Sequence, residues 1–171
     1  MFRYRYALIV LAVCLVPAIA KAQAHGPWEL ELGGTGQNSS RFNGVTASGN
    51  GALSYFFTDQ FEFGVRQSVG YSDIGSTAWS GTTALALDFN LPLGDQGQIM
   101  PYFGGDVGYI YGDAVHNSWV GGPEAGIKVF LNNSTFIYAS IAWDIFFDKH
   151  STTSVFSDGL ITYGLGLGVR F

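Results

Sequence analysis

Ten charged side chains recur at alternating positions along this chain: Glu29, Glu31, Glu62, Arg66, Asp88, Asp106, Glu124, Lys128, Asp144 and Arg170. Carboxylates brought together in pairs can pass protons as general acid and base. Enclosed charges also need partners, so the same set can form an ion-pair and water network that fills an interior, and that is the expectation here. Acids outnumber bases seven to three in this set. The surplus is hydrated, protonated or cation-bound, and any pore through it would pass cations more easily than anions. Arg66, Asp106 and Glu124 are expected near mid-height, and Glu29, Glu62, Asp88, Lys128 and Arg170 nearer one mouth, with Arg170 an inward partner for the acids there.

Other chemistry is thin. His150 is followed by Ser151, a base next to a nucleophile. Asp113 with His116, and Asp148 with His150, are lone acid–histidine pairs without the further ligands of a metal centre. Gly33-Gly34-Thr35-Gly36 lacks the Lys-Ser/Thr and the following helix of a phosphate loop, and its glycines read as relief of crowding where a strand bends. No catalytic residue, metal or cofactor is expected.

The elements that must position the ten charges are strands. The last stretch, Gly159–Phe171, alternates Ile161, Tyr163, Leu165, Leu167, Val169 and Phe171 with Thr162, Gly164, Gly166, Gly168 and Arg170. That is period-2 alternation with one apolar and one small or polar face. Seven more segments share the pattern: Trp28–Gly36, Val45–Phe57, Phe61–Tyr71, Trp79–Leu91, Pro101–Gly112, Val120–Leu131 and Thr135–Phe147. Pro123 has no N–H for a ladder, so it should lie near the start of its strand. Thr58-Asp59-Gln60, Pro92–Gln98 and Asn132-Asn133-Ser134 read as connections at one end, with four short loops, 37–44, 72–78, 112–119 and 148–158, at the other.

Strands of about 9–13 residues match the span of a tilted barrel strand across a bilayer. The apolar faces can all point outward together, and this phase turns every strand charge inward. Gln67 falls on the apolar face against the pattern. Aromatic residues gather at strand ends as two interface girdles: Trp28, Tyr55, Phe57, Phe61, Phe89, Phe103 and Phe171 at one end, Tyr71, Trp79, Tyr111, Trp119 and Phe147 at the other. A soluble sandwich or lipocalin-like barrel would bury this bulky face, which overfills an eight-stranded interior, and leave the Gly/Ser face outside. The expected fold is therefore all-β: an eight-stranded antiparallel up-and-down transmembrane β-barrel of the outer membrane.

Composition agrees. Of 171 residues only 12% are charged, 24 are glycine and 16% are aromatic. Residues 1–24 read as a cleaved signal peptide: Arg3 and Arg5, an apolar run over Ala7–Ala20, then Ala20-Lys21-Ala22 and Ala22-Gln23-Ala24 as alternative cleavage patterns. Residues 25–171 form the barrel domain. Cys14 leaves with the signal, so thiol and disulfide chemistry are excluded. The mature chain keeps Arg41, Arg66, Lys128, Lys149 and Arg170 against 13 acids, a formal charge of −8, which argues against nucleic acid as a partner. Phe56, Tyr102, Phe130, Phe136 and Tyr138 point inward near one end and would narrow any channel.

With these features in place the chain resembles the small eight-stranded outer-membrane proteins: the OmpA transmembrane barrel, OmpX and the opacity-type surface antigens. The resemblance rests on terminal Phe171 with its alternating partners, on Ser54-Tyr55-Phe56-Phe57-Thr58-Asp59-Gln60-Phe61-Glu62, and on Pro101-Tyr102-Phe103-Gly104-Gly105-Asp106-Val107-Gly108-Tyr109. It implies outer-membrane lipids as surroundings and the barrel-assembly machinery as a partner, reading Tyr163, Leu165, Leu167, Val169 and Phe171. It also implies termini facing the periplasm and a monomer. The architecture hosts anchors, adhesins, small pores and lipid-modifying enzymes, so fold does not settle function. The deacylases of this architecture resemble a His-x-Ser arrangement on a strand, from which His150-Ser151 departs. The palmitoyl-transferring barrels carry a helix before the first strand, for which there is little room before Trp28. The expectation is a structural or surface-exposed barrel without catalytic activity. The alternatives are an adhesin binding an extracellular ligand through its loops (Trp119 and Phe156 as apolar contacts), a narrow cation-preferring pore, and a lipid A hydrolase.

Overall fold

A computed structural model describes residues 26–38, 45–73, 77–94, 97–113, 116–147 and 160–171. The signal segment, Asp148, His150, Ser151 and Phe156 lie outside the described residues. Eight strands run in chain order: β1 Trp28–Asn38, β2 Val45–Phe56, β3 Phe61–Ser72, β4 Ala78–Asn90, β5 Ile99–Gly112, β6 Ser118–Phe130, β7 Thr135–Phe146 and β8 Leu160–Arg170. Each pairs antiparallel with the next, and β8 returns to β1, so the sheet closes into a barrel. Over the paired part of that seam, Glu29 to Gly33 against Arg170 to Gly166, closure removes the free edges that a bilayer does not tolerate.

The barrel has a terminal end, where the chain enters and leaves it, and a loop end. Both tight turns lie at the terminal end and are pinned by side chains. Thr58 Oγ1 accepts the Phe61 N–H at 2.8 Å. Asn132 Oδ1 accepts the N–H groups of Ser134 and Thr135 at 2.9 and 2.8 Å. In both cases a short polar side chain mimics a backbone turn partner. The third connection there, after β4, turns with Gly94 at φ 86° and Gly97 at φ 65°, a region that L side chains avoid.

Register explains the outer surface. Phe63 stands opposite Tyr55 and Leu87, and Val65 opposite Leu53 and Leu85, so bulky apolar side chains form rows across neighbouring strands. These side chains are exposed, as are Val107, Ile127, Ile137 and Ile141 further round the wall. Aromatic pairs run around the terminal end: Trp28 on Tyr55 at 4.9 Å, Phe61 on Phe89 at 5.0 Å, and Phe89 on Phe103 at 5.3 Å. Near the loop end Trp79 meets Tyr111 and Tyr109 meets Trp119. An apolar belt between two aromatic girdles is the surface of a lipid-spanning barrel.

Two details depart from the sequence expectation. Pro123 lies in the middle of β6, not near its start, because β6 begins at Ser118. The β6–β7 ladder is interrupted there: it runs from Gly121 against Ile145 directly to Glu124 against Ala142. The missing proline N–H is accommodated by that gap, while the β5 side stays paired through Gly105 and Pro123. Gln67 faces outward as expected from its phase, but it is not isolated. Its Nε2 donates to Tyr111 Oη at 3.0 Å, and its Oε1 accepts from Thr83 Oγ1 at 2.6 Å. Three neighbouring strands each contribute one polar group, which satisfies an amide that lipid cannot.

The seam between β1 and β8 is short. It closes at the terminal end, where Trp28 and Phe171 exchange backbone hydrogen bonds of 3.0 and 2.8 Å. Pairing then continues only to Gly33 against Gly166. Beyond that, β1 stays paired with β2 up to Asn38, and β8 with β7 up to Leu160.

Candidate functional site

The lumen is where the fold gathers charged side chains. Strand alternation turns all ten charges named from the sequence into it, and the structure sorts most of them into two clusters.

The first surrounds Lys128 on β6. Its ammonium pairs with Glu29 of β1, with Glu62 of β3 at 2.9 Å and with Glu31 of β1 at 3.4 Å. Asn90 Nδ2 donates to the same Glu62 carboxylate at 3.0 Å. The rings of Tyr102, Phe136 and Phe56 stand 5.2, 5.5 and 5.7 Å from the ammonium, within cation–π range. Lys128, Phe136, Glu29, Glu62 and Asn90 are all fully buried, so the terminal half of the lumen is packed with side chains. Gly168 makes room for this packing, because a Cβ there would run into the Phe136 ring.

The second cluster lies above the first, around Arg66 of β3. Its guanidinium pairs with Glu124 of β6, with Asp88 of β4 at 2.6 Å and with Asp106 of β5 at 3.8 Å. Tyr102 joins the two clusters: its hydroxyl donates to Glu124 at 2.8 Å while its ring faces Lys128. Each cluster holds one cation against three carboxylates. Glu29 Oε2, Asp88 Oδ1 and Asn90 Oδ1 are buried and have no hydrogen-bond partner among the described residues.

The remaining two charges stand apart. Asp144 accepts from Thr162 Oγ1 at 2.6 Å. Arg170 corrects an expectation. It makes no ion pair with the acids among the described residues; its Nε donates to the Gly26 carbonyl at 3.2 Å, and its guanidinium lies 3.9 Å from the Phe56 ring centre. The carboxylates nearest in height are already gathered by Lys128, so Arg170 ties down the incoming chain instead.

Above Arg66 the lumen opens into a vestibule of about 370 Å³. Its floor is Arg66, Glu124 and Tyr102, and its walls carry Ser48, Ser68, Ser80, Thr82 and Ser140. Asn50 and Tyr138 share a hydrogen bond of 2.8 Å on one side, beside Gly33, where any Cβ would collide with both. Among the described residues no group of three or more His, Cys, Asp or Glu is placed to hold a metal ion. Asp113 and His116 are exposed. Trp119 belongs to β6 and packs on Tyr109 in the girdle, so it is not a loop-tip contact. Of the five residues expected to carry an assembly signal, Tyr163, Leu165 and Leu167 lie on the outer face of β8, exposed, with Val169 and Phe171 half-buried. Sequence reasoning missed Asn90 and the Tyr102 hydroxyl as members of the network. The signal available was their inward phase next to charged positions.

A closed eight-stranded barrel with an apolar belt and a charged, packed lumen defines the fold as that of the small outer-membrane β-barrels. Solved structures agree. The outer membrane protein OprG from Pseudomonas aeruginosa aligns with a TM-score of 0.57 at 13% identity, covering 88% of this chain and 98% of that one. The N-terminal barrel domain of Pseudomonas aeruginosa OprF gives 0.57 at 17%, covering 84% and 96%. Neisserial surface protein A, NspA, gives 0.58 at 11%, covering 85% and 98%. At these identities the likeness is one of fold. No protein-family model matches the chain, and no curated protein does.

Proposed function

We propose that this chain is an integral barrel of the bacterial outer membrane with a structural or surface-exposed role and no catalytic activity. The observation that carries the reading is the division of the wall: exposed Leu, Val, Ile and Phe outside, all ten strand charges inside. A lumen packed around Lys128 and Phe136 favours a scaffold over a transport channel. In this reading residues 1–24 direct export and are removed, and the barrel inserts as a monomer with its termini toward the periplasm. The barrel-assembly machinery reads Tyr163, Leu165, Leu167, Val169 and Phe171 on the closing strand. That one structural neighbour is named a surface protein is in keeping with loops displayed outward.

Fractionation of a Gram-negative host expressing the full chain tests this. The expected product sits in the outer membrane, lacks residues 1–24 by mass, and migrates faster on gels unboiled than boiled. A water-soluble product overturns the membrane reading. An altered lipid A acyl pattern in the same cells overturns the non-enzymatic one.

A further inference from the structure

The seam between β1 and β8 is an exception in this wall. Beyond Gly33 and Gly166, Gly34–Asn38 pair only with β2, and Leu160–Leu165 only with β7, among the described residues. Among the described residues, each strand there presents one row of backbone N–H and C=O groups without a partner. In hydrocarbon such groups are costly, so an empty gap at membrane depth is strongly disfavoured.

Side-chain exposure marks the same place. Tyr163 is 75% exposed and Leu165 68%, against 44–48% for Val65, Val69, Leu85 and Ile141 elsewhere on the belt. Continuing the register would set Gly34 opposite Leu165 and Gly36 opposite Tyr163, so β1 offers no side chain to cover them and both stand open to the membrane. On the inner side, Thr162 and Gly164 form part of the vestibule wall at this level. The gap therefore has an apolar outer lip and a hydrophilic inner chamber. Around that chamber stand Glu31, Asp106, Glu124 and Asp144, with Arg66 the one cation among the lining residues described.

We propose that this half-unpaired seam is a lateral binding site for a single-tailed amphiphile with an ammonium head group. The tail lies along Tyr163 and Leu165 in the membrane. The head passes between β1 and β8 into the vestibule, where Asp144 and its neighbours supply the negative charge. The ammonium N–H groups meet the unpaired carbonyls of the strand edges. An anionic head is rejected by the carboxylates. The site rests on the membrane-spanning reading above.

The test uses the full mature barrel in neutral-lipid nanodiscs, with backbone amide NMR as the readout. Insertion is checked first, by heat-modifiable migration and protease resistance, so a failed membrane reading is recognised separately. Dodecylammonium is the probe. Saturable shifts are expected at Gly34, Thr162, Gly164 and Leu165. Ethylammonium, the head without a tail, and dodecyl sulfate, the tail with the opposite charge, are expected to give none at matched concentration. Asp144→Asn keeps an acceptor for Thr162 and removes the charge, and it is expected to weaken the probe about tenfold. Equal shifts with ethylammonium mean a cation site reached from the loop end and overturn the lateral site. Equal shifts with dodecyl sulfate mean simple partition of a tail and overturn it as well. Absence of saturation in an inserted barrel, or unchanged binding by Asp144→Asn, also overturns it.

Discussion

Lys128 Nζ on β6 reaches across the lumen to Glu62 Oε2 on β3, 2.9 Å away, with both side chains almost wholly withdrawn from solvent. Glu29 and Glu31 share the same ammonium. One cation thus holds three carboxylates and three strands together inside the barrel.

Lys128→Met removes that cation and leaves its acids uncompensated. Breaking a buried charge network by deleting one partner costs about 3–5 kcal/mol. The expected outcome is a large fall in the urea midpoint of the refolded barrel in detergent. Combining Lys128→Met with Glu29→Gln, Glu31→Gln and Glu62→Gln should recover a good part of it, because none of the three acids is then left as an unpaired charge. A single variant as stable as the parent would show that the cluster is a passenger.

Arg66 and Tyr102 form the floor of the vestibule, and below them the lumen is filled. The parent barrel is expected to be silent in planar bilayers. Arg66→Ala and Tyr102→Ala combined with Lys128→Ala and Phe136→Ala take away the floor and the plug beneath it and leave Asp88, Asp106 and Glu124 behind, so channels that prefer cations are expected. Anion preference in this quadruple variant would contradict the charge placement.

The outward triad of Gln67, Thr83 and Tyr111 explains how an amide stands on a lipid-facing wall. Hydrogen bonds of this kind in membranes are worth about 0.6 to 2 kcal/mol. Tyr111→Phe is expected to destabilise the barrel by about 1 kcal/mol in the parent and by much less in a Gln67→Leu background. A double-mutant cycle from urea unfolding gives the coupling, and a coupling of zero would mean that the triad carries no energy.

Gly168 faces the Phe136 ring, which is fully buried. Gly168→Ala overpacks the plug and is expected to cost about 1–3 kcal/mol. Adding Phe136→Leu should relieve part of the loss. Unfolding midpoints of the two variants check both statements.

The architecture was legible because one physical rule, alternation against lipid, acts on every strand. The sign of each position could be read at Glu62, Lys128 or Leu85 from phase alone. Partnership inside the lumen was not. Lys128 meets Glu29 and Glu62 across the barrel, and that depends on stagger between strands distant in sequence. Arg170 shows the cost of reading charge without stagger: it faces inward, but a Gly26 carbonyl and a Phe56 ring take it instead of an acid. Pro123 looked like a strand start because a missing N–H is costly in a ladder. A local break opposite β7 satisfies the same constraint in mid-strand. Gln67 looked like a blemish because its partners, Thr83 and Tyr111, belong to two other strands.

The bonds between Trp28 and Phe171 have a consequence for biogenesis. They join the first residue of the first strand to the residue after the last strand, so the barrel's final rung has the widest spacing along the chain of any rung in it. Contacts of wide spacing bear the largest loop-closure entropy and form slowly. The sheet cannot close on itself until Phe171 is in place, and until then it exposes two sticky strand edges. Loss of Gly168–Phe171 would therefore leave an aggregation-prone open sheet.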